Sequence, residues 1–144
     1  GRGEPEVART IAEIRAPAML VLDYEANSGG MNGLRSTLPD FIRILREAHP
    51  KVPILLISRI RFGHETQQPE SLRGRNESLC YQRQVVHDLR EAGDSNIHFQ
   101  DGVDLLGRDY EECTVDGVHP TDLGFYRMSE ALLPVFRRIL GVDY

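Results

Sequence analysis

Apolar positions along the chain recur in two rhythms that take turns, and each rhythm predicts an element. Val7, Ile11 and Ile14 recur at helical spacing behind Pro5, which predicts a helix from about Pro5 to Ile14. Ala18 to Asp23 is a short, mostly apolar run of the kind found in buried parallel strands. A polar, glycine-rich loop spans Glu25 to Gly33, and Leu34, Leu38, Phe41, Leu45 and Ala48 then mark a second helix. Pro50 and Pro53 bracket the next boundary, and Val52 to Ile57 reads as a second strand. Ser58 to Leu72 carries no periodic signal and is expected to be a long loop. A helix from about Asn76 to Ala92, stopped by Gly93, leads to a short third strand at Asn96 to Phe99. After a loop from Gln100 to Pro120, the stripe Phe125, Met128, Leu132, Val135 and Ile139 predicts the last helix.

Strands alternating with helices are the signature of βαβ units, so the expected architecture is one α/β domain around a parallel sheet. Three strands are few for such a sheet. The exposed edge of the first strand is therefore expected to be covered, either by a chain segment preceding Gly1 or by a second copy of the protein.

Composition narrows the picture only slightly. A chain of 144 residues with 40% hydrophobic and 27% charged residues is an ordinary globular domain, long enough to bury a real core. Its net charge of −5 argues against a nucleic-acid partner, and the arginines are scattered rather than gathered in a basic patch. No apolar run reaches the ~20 residues of a membrane span. Cys80 and Cys113 form neither a disulfide framework nor a metal site and read as structural thiols. No set of His, Cys and Asp has metal-ligand spacing, and Gly29-Gly30 lacks the Lys-Ser/Thr ending of a phosphate loop. His49, His87 and His98 read as structural. The start at Gly1, with no initiator methionine, leaves the compartment open.

The candidate chemistry lies in Asp116-Gly117-Val118-His119-Pro120-Thr121-Asp122-Leu123-Gly124, ahead of the last helix and beyond the third strand. Catalytic groups of open α/β sheets gather outside the carboxyl ends of the strands. An aspartate three residues before a histidine can hold Nδ1 of the imidazole and leave Nε2 free as a base. The competing reading is a loop aspartate and a helix-start histidine without chemistry.

This string resembles the C-terminal motif block of the SGNH/GDSL hydrolases, a superfamily of esterases and lipases. The resemblance implies a three-layer, flavodoxin-like parallel sheet with helices on both faces. It also implies that Asp116 orients the base and that His119 is the base of a Ser–His–Asp triad. The family has a Gly-x-Asn-Asp segment after a strand, whose Asn stabilises the oxyanion. Here Tyr24-Glu25-Ala26-Asn27-Ser28 follows the first strand, with Asn27 at the Asn position, Glu25 in place of the Gly and Ser28 in place of the Asp. The resemblance thus implies an oxyanion donor at Asn27; the bland alternative is a turn asparagine.

The family's Gly-Asp-Ser nucleophile segment has no counterpart among Ser28, Ser36, Ser58, Ser71, Ser78, Ser95 and Ser129. Ser28 is nearest, as a neighbour of Asn27. Neither Gly1 nor Gly3 can be assigned to the family's second oxyanion block. The expectation is a domain over residues 1–144 that lacks its N-terminal strands and nucleophile segment, with the serine upstream. Arg59, Arg61 and His64, beyond the second strand, are candidates for binding a polar group of the substrate, or else solvated loop residues. Tyr24, Glu25 and Met31 are candidate pocket residues. The implied activity is hydrolysis of a small acyl or acetyl ester, of carbohydrate for example, with no cofactor. A non-catalytic binding or interaction domain on the same sheet is the alternative, and it would leave Asp116 and His119 as loop structure.

Overall fold

In a computed structural model, residues 1–142 are described. The order of elements is α1 (Pro5–Ala12), β1 (Leu20–Leu22), α2 (Gly30–Ala48), β2 (Ile54–Ile57), α3 (Pro69–Glu91), β3 (Ile97–Gln100) and α4 (Asp122–Leu140), with single 3-10 turns at Glu25–Asn27, Gly63–Thr66 and Tyr110–Cys113. The three strands form one parallel sheet in the order β1-β2-β3. Leu20, Val21 and Leu22 stand opposite Ile54, Leu55 and Leu56, and Ile54 to Ile57 stand opposite Ile97 to Gln100.

The sheet is the middle of three layers. On one face, Leu20, Leu22, Ile54, Leu56 and Ile97 pack with Leu34, Leu38, Phe41, Ile42 and Leu45 of α2 and Val86 of α3, and Ala8 of α1 joins them. On the other face Leu55 and Ile57 pack against Val135 of α4 and against Leu105. All four β2 residues are buried because both faces of this central strand are covered, which is why it reads as an unbroken apolar run. Among the described residues β1 has a strand partner on one side only, and its Val21 stays 42% exposed.

Two boundaries depart from expectation. α1 ends at Ala12 rather than near Ile14, whose side chain is exposed. More telling, α3 begins at Pro69, so its first two turns occupy what reads as loop in the sequence. Its inward stripe is Arg75, Ser78, Gln82 and Val86, which has helical spacing but is mostly polar. Apolar periodicity is blind to a helix that turns hydrogen-bonding groups inward. Pro69 at the first helical position was the available signal.

Candidate active site

The loop from Cys113 to Thr121 is a small closed structure. Its stem is tied by Val115 N–H to the His119 carbonyl at 2.8 Å and by Thr121 N–H to the Cys113 carbonyl at 2.8 Å. At the tip, Asp116 Oδ1 accepts the backbone N–H groups of Val118 at 3.0 Å and His119 at 2.9 Å, a local turn that Asp makes readily. Gly117 takes the left-handed conformation (φ 85°) that the turn requires. The other oxygen, Asp116 Oδ2, lies 2.7 Å from His119 Nδ1. One carboxylate thus shapes the loop with one oxygen and holds the imidazole with the other. The His119 amide, then its ring, then the Val118 amide hold the Asp116 carboxyl well below the usual carboxylate range.

The rest of the motif fixes where this loop sits. Thr121 caps α4, its Oγ1 accepting the Gly124 N–H at 3.2 Å. A β-carbon on Gly124 would lie 2.3 Å from the Cys113 carbonyl oxygen, so only glycine lets the helix start approach the loop stem. From the other side, Gly63 N–H donates to the Gly117 carbonyl at 2.7 Å.

Asn27 closes the 3-10 turn beyond β1, where its N–H donates to the Tyr24 carbonyl at 3.0 Å. The turn is gripped from behind. Ser28 Oγ donates to the Glu25 carbonyl at 2.8 Å, and Gly33 leaves no room for a β-carbon, which would stand 1.7 Å from the Ser28 carbonyl oxygen. Asn27 itself is exposed, with its carboxamide making no hydrogen bond within the described residues. Tyr24 donates to or accepts from Thr37 at 3.3 Å, and burial pushes its hydroxyl up to about 12, so it stays protonated.

Asn27 and His119 line the same cleft, about 340 Å³ in volume, at the carboxyl ends of β1 and β2. Asp23 and Tyr24 form its wall at β1, and Ile60 and Phe62 its wall beyond β2. Val118, Phe125 and Met128 complete it around the histidine. The His119 side chain is 77% exposed, and its outer nitrogen makes no hydrogen bond within the described residues. Among the described residues no serine lines the cleft. Ser28 is buried, with its hydroxyl committed to the Glu25 and Gly30 carbonyls.

Of the other residues singled out in the sequence, Arg59 reaches the cleft wall, but its guanidinium is buried. It pairs with Glu65, lies 3.8 Å from Glu25 Oε1 and donates to the Ser71 carbonyl at 3.0 Å. Arg61 lies over the Tyr110 ring, 4.7 Å from its centroid, and His64 Nε2 is 3.2 Å from Ser71 Oγ; neither lines the cleft. Glu25 is buried beneath the Asn27 turn, and Met31 lines a separate groove between α2 and α3. The apolar wall of Ile60, Phe62, Phe125 and Met128 carries no pocket signal in the sequence. Phe125 and Met128 are in helical register with the core stripe of α4, and nothing local distinguishes a cleft residue from a core one.

Residues 1–137 match the GDSL-like Lipase/Acylhydrolase family. The chain belongs to that family. Among solved structures, it is similar to a Bacteroides ovatus protein described as a GDSL-like lipase, with 31% identity and a TM-score of 0.85 over 100% of this chain. It also shares the fold of a salicylyl-acyltransferase from a tetracycline biosynthetic pathway, at 24% identity and a TM-score of 0.74 over 98% of this chain. The chain spans 42% of the length of each. No protein of curated function matches it. The three-stranded α/β architecture agrees with membership in that family.

Proposed function

We propose that this chain carries the base, its orienting acid and one oxyanion donor of an ester hydrolase, and that a serine outside these 144 residues is the nucleophile. The observation that carries the reading is the 2.7 Å Asp116–His119 contact on the cleft that Asn27 also lines. Serine Oγ attacks the ester carbonyl carbon while His119 Nε2 takes its proton, and Asp116 keeps the imidazole in the required tautomer and stabilises the imidazolium. The carbonyl π pair moves to oxygen, where the Asn27 carboxamide donates to the oxyanion. Collapse expels the alcohol with the proton from His119. Water then repeats the sequence on the acyl-enzyme, releasing the acid and restoring the serine.

The cleft suits a small acyl group, an acetyl ester of a carbohydrate being one substrate of that size. A purely non-catalytic binding domain would have no use for an imidazole held by its own carboxylate with its outer nitrogen left open. The test is p-nitrophenyl acetate hydrolysis by the full-length protein. His119→Ala should lower kcat by roughly 10⁴-fold or more. Because the ring is mostly solvent-exposed, stability should change by no more than about 0.5 kcal/mol. A near-wild-type rate for the variant refutes the assignment.

A further inference from the structure

Beneath the cleft lies a cluster of ionic groups that the reaction does not touch. Glu25, Arg59, Glu65 and Arg75 are each at most 8% exposed, and Gln82 is fully buried. Their formal charges cancel. Glu25 Oε2 accepts the Arg59 backbone N–H at 2.7 Å and Gln82 Nε2 at 2.6 Å. The Arg59 guanidinium pairs with Glu65, and Arg75 Nε donates to the other oxygen of Glu65 at 2.9 Å. Burial raises the Glu25 carboxyl, and the hydrogen bonds from Arg59 and Gln82 and the charges of Arg59 and Arg75 oppose that rise.

The two ends of this cluster are attached to the two sides of the cleft. Glu25 is the first residue of the turn that ends in Asn27. Glu65 lies in the Gly63–Thr66 turn and accepts the Phe62 N–H at 3.2 Å, and Gly63 N–H holds the Gly117 carbonyl inside the Asp116–His119 loop. Arg59 joins the ends and stacks over Phe62, its guanidinium carbon 4.0 Å from the ring centroid. Buried ion pairs are a poor source of stability, because desolvation consumes most of the attraction and apolar packing does as well. What they do supply is direction, since each bond is satisfied in one geometry only.

We propose that Glu25, Arg59, Glu65 and Gln82 form a buried brace that sets the position of the oxyanion donor Asn27 relative to the base His119. These are positioning residues, and the inference rests on the esterase reading given above. The brace also accounts for a glutamate where the family motif has glycine: the side chain turns inward and anchors the turn from below. Misplacing a catalytic group by about 1 Å can cost up to ~10²-fold in rate, so the brace should register in kcat.

The test is a double-mutant cycle in the full-length protein with p-nitrophenyl acetate. Glu25→Gln should lower kcat about 10- to 100-fold with KM changed less than about twofold. In an Asn27→Ala background the same substitution should lower kcat less than about threefold, because the group it positions is gone. Gln82→Met serves as a second variant if Glu25→Gln does not fold: it removes the Nε2 donation to Glu25 at similar volume, and Gln82 Oε1 has no partner to lose. A large Asn27→Ala loss combined with an equal Glu25→Gln loss in both backgrounds overturns the brace alone. A wild-type rate for Asn27→Ala overturns the oxyanion role of Asn27 and the brace with it, whereas the esterase reading itself falls only with a near-wild-type rate for His119→Ala.

Discussion

Asp116 holds His119 twice, through its ring Nδ1 at 2.7 Å and its backbone N–H at 2.9 Å, with a different carboxylate oxygen for each. The orienting acid is therefore also the residue that folds the loop carrying the base. Asp116→Asn in the full-length protein can keep a turn-forming oxygen but no longer holds the imidazole in one tautomer. A loss of roughly 10⁴-fold in kcat with the loop retained is expected. An unchanged kcat would show that the contact is structural only.

The pH dependence follows from the same contact. The folded Asp116 carboxyl titrates below its ordinary 3.8, so the charged form favours the folded loop. That contribution is fully present above the ordinary value and is lost as the pH falls through the folded value. Between pH 5 and 8 Asp116 stays ionised, so the urea midpoints of wild type and Asp116→Asn should differ by the same amount at both ends of that window. A difference that shrinks from pH 8 to pH 5 would show that the Asp116 carboxyl is not held low.

Asn27→Ala removes a carboxamide that has no hydrogen-bond partner within the described residues, so the cost should fall on catalysis and not on folding. A 10²- to 10³-fold drop in kcat is typical for one oxyanion donor. A variant that loses stability but keeps its rate would reduce Asn27 to a turn residue.

The 144 residues on their own should not hydrolyse p-nitrophenyl acetate above background, because among the described residues no serine lines the cleft with His119. A serine-directed fluorophosphonate should leave them unlabelled. Turnover with labelling of Ser28 would place the nucleophile within this chain.

Gly124→Ala should lower stability by about 1–3 kcal/mol, since its β-carbon would overlap the Cys113 carbonyl oxygen that Thr121 N–H already uses. Urea denaturation reads this directly, and a wild-type midpoint would mean that the start of α4 can shift to make room.

The alternation of elements, the central strand and the Asp116–His119 loop were all legible along the chain. Each rests on interactions among near neighbours: apolar spacing within one helix or strand, or a carboxylate and an imidazole three residues apart. Asn27 was legible through its place in a short motif. Tertiary structure alone decided that Asn27 and His119 share a cleft, and that Arg59 is an internal ion-pairing group instead of a surface one. It also decided that α3 begins two turns early. These have one physical cause. The brace draws Glu25, Arg59, Glu65 and Gln82 from four separate segments, with Arg59 34 positions and Gln82 57 positions along the sequence from Glu25. Buried polar groups choose partners by geometry in space, and no periodicity along the chain records that choice.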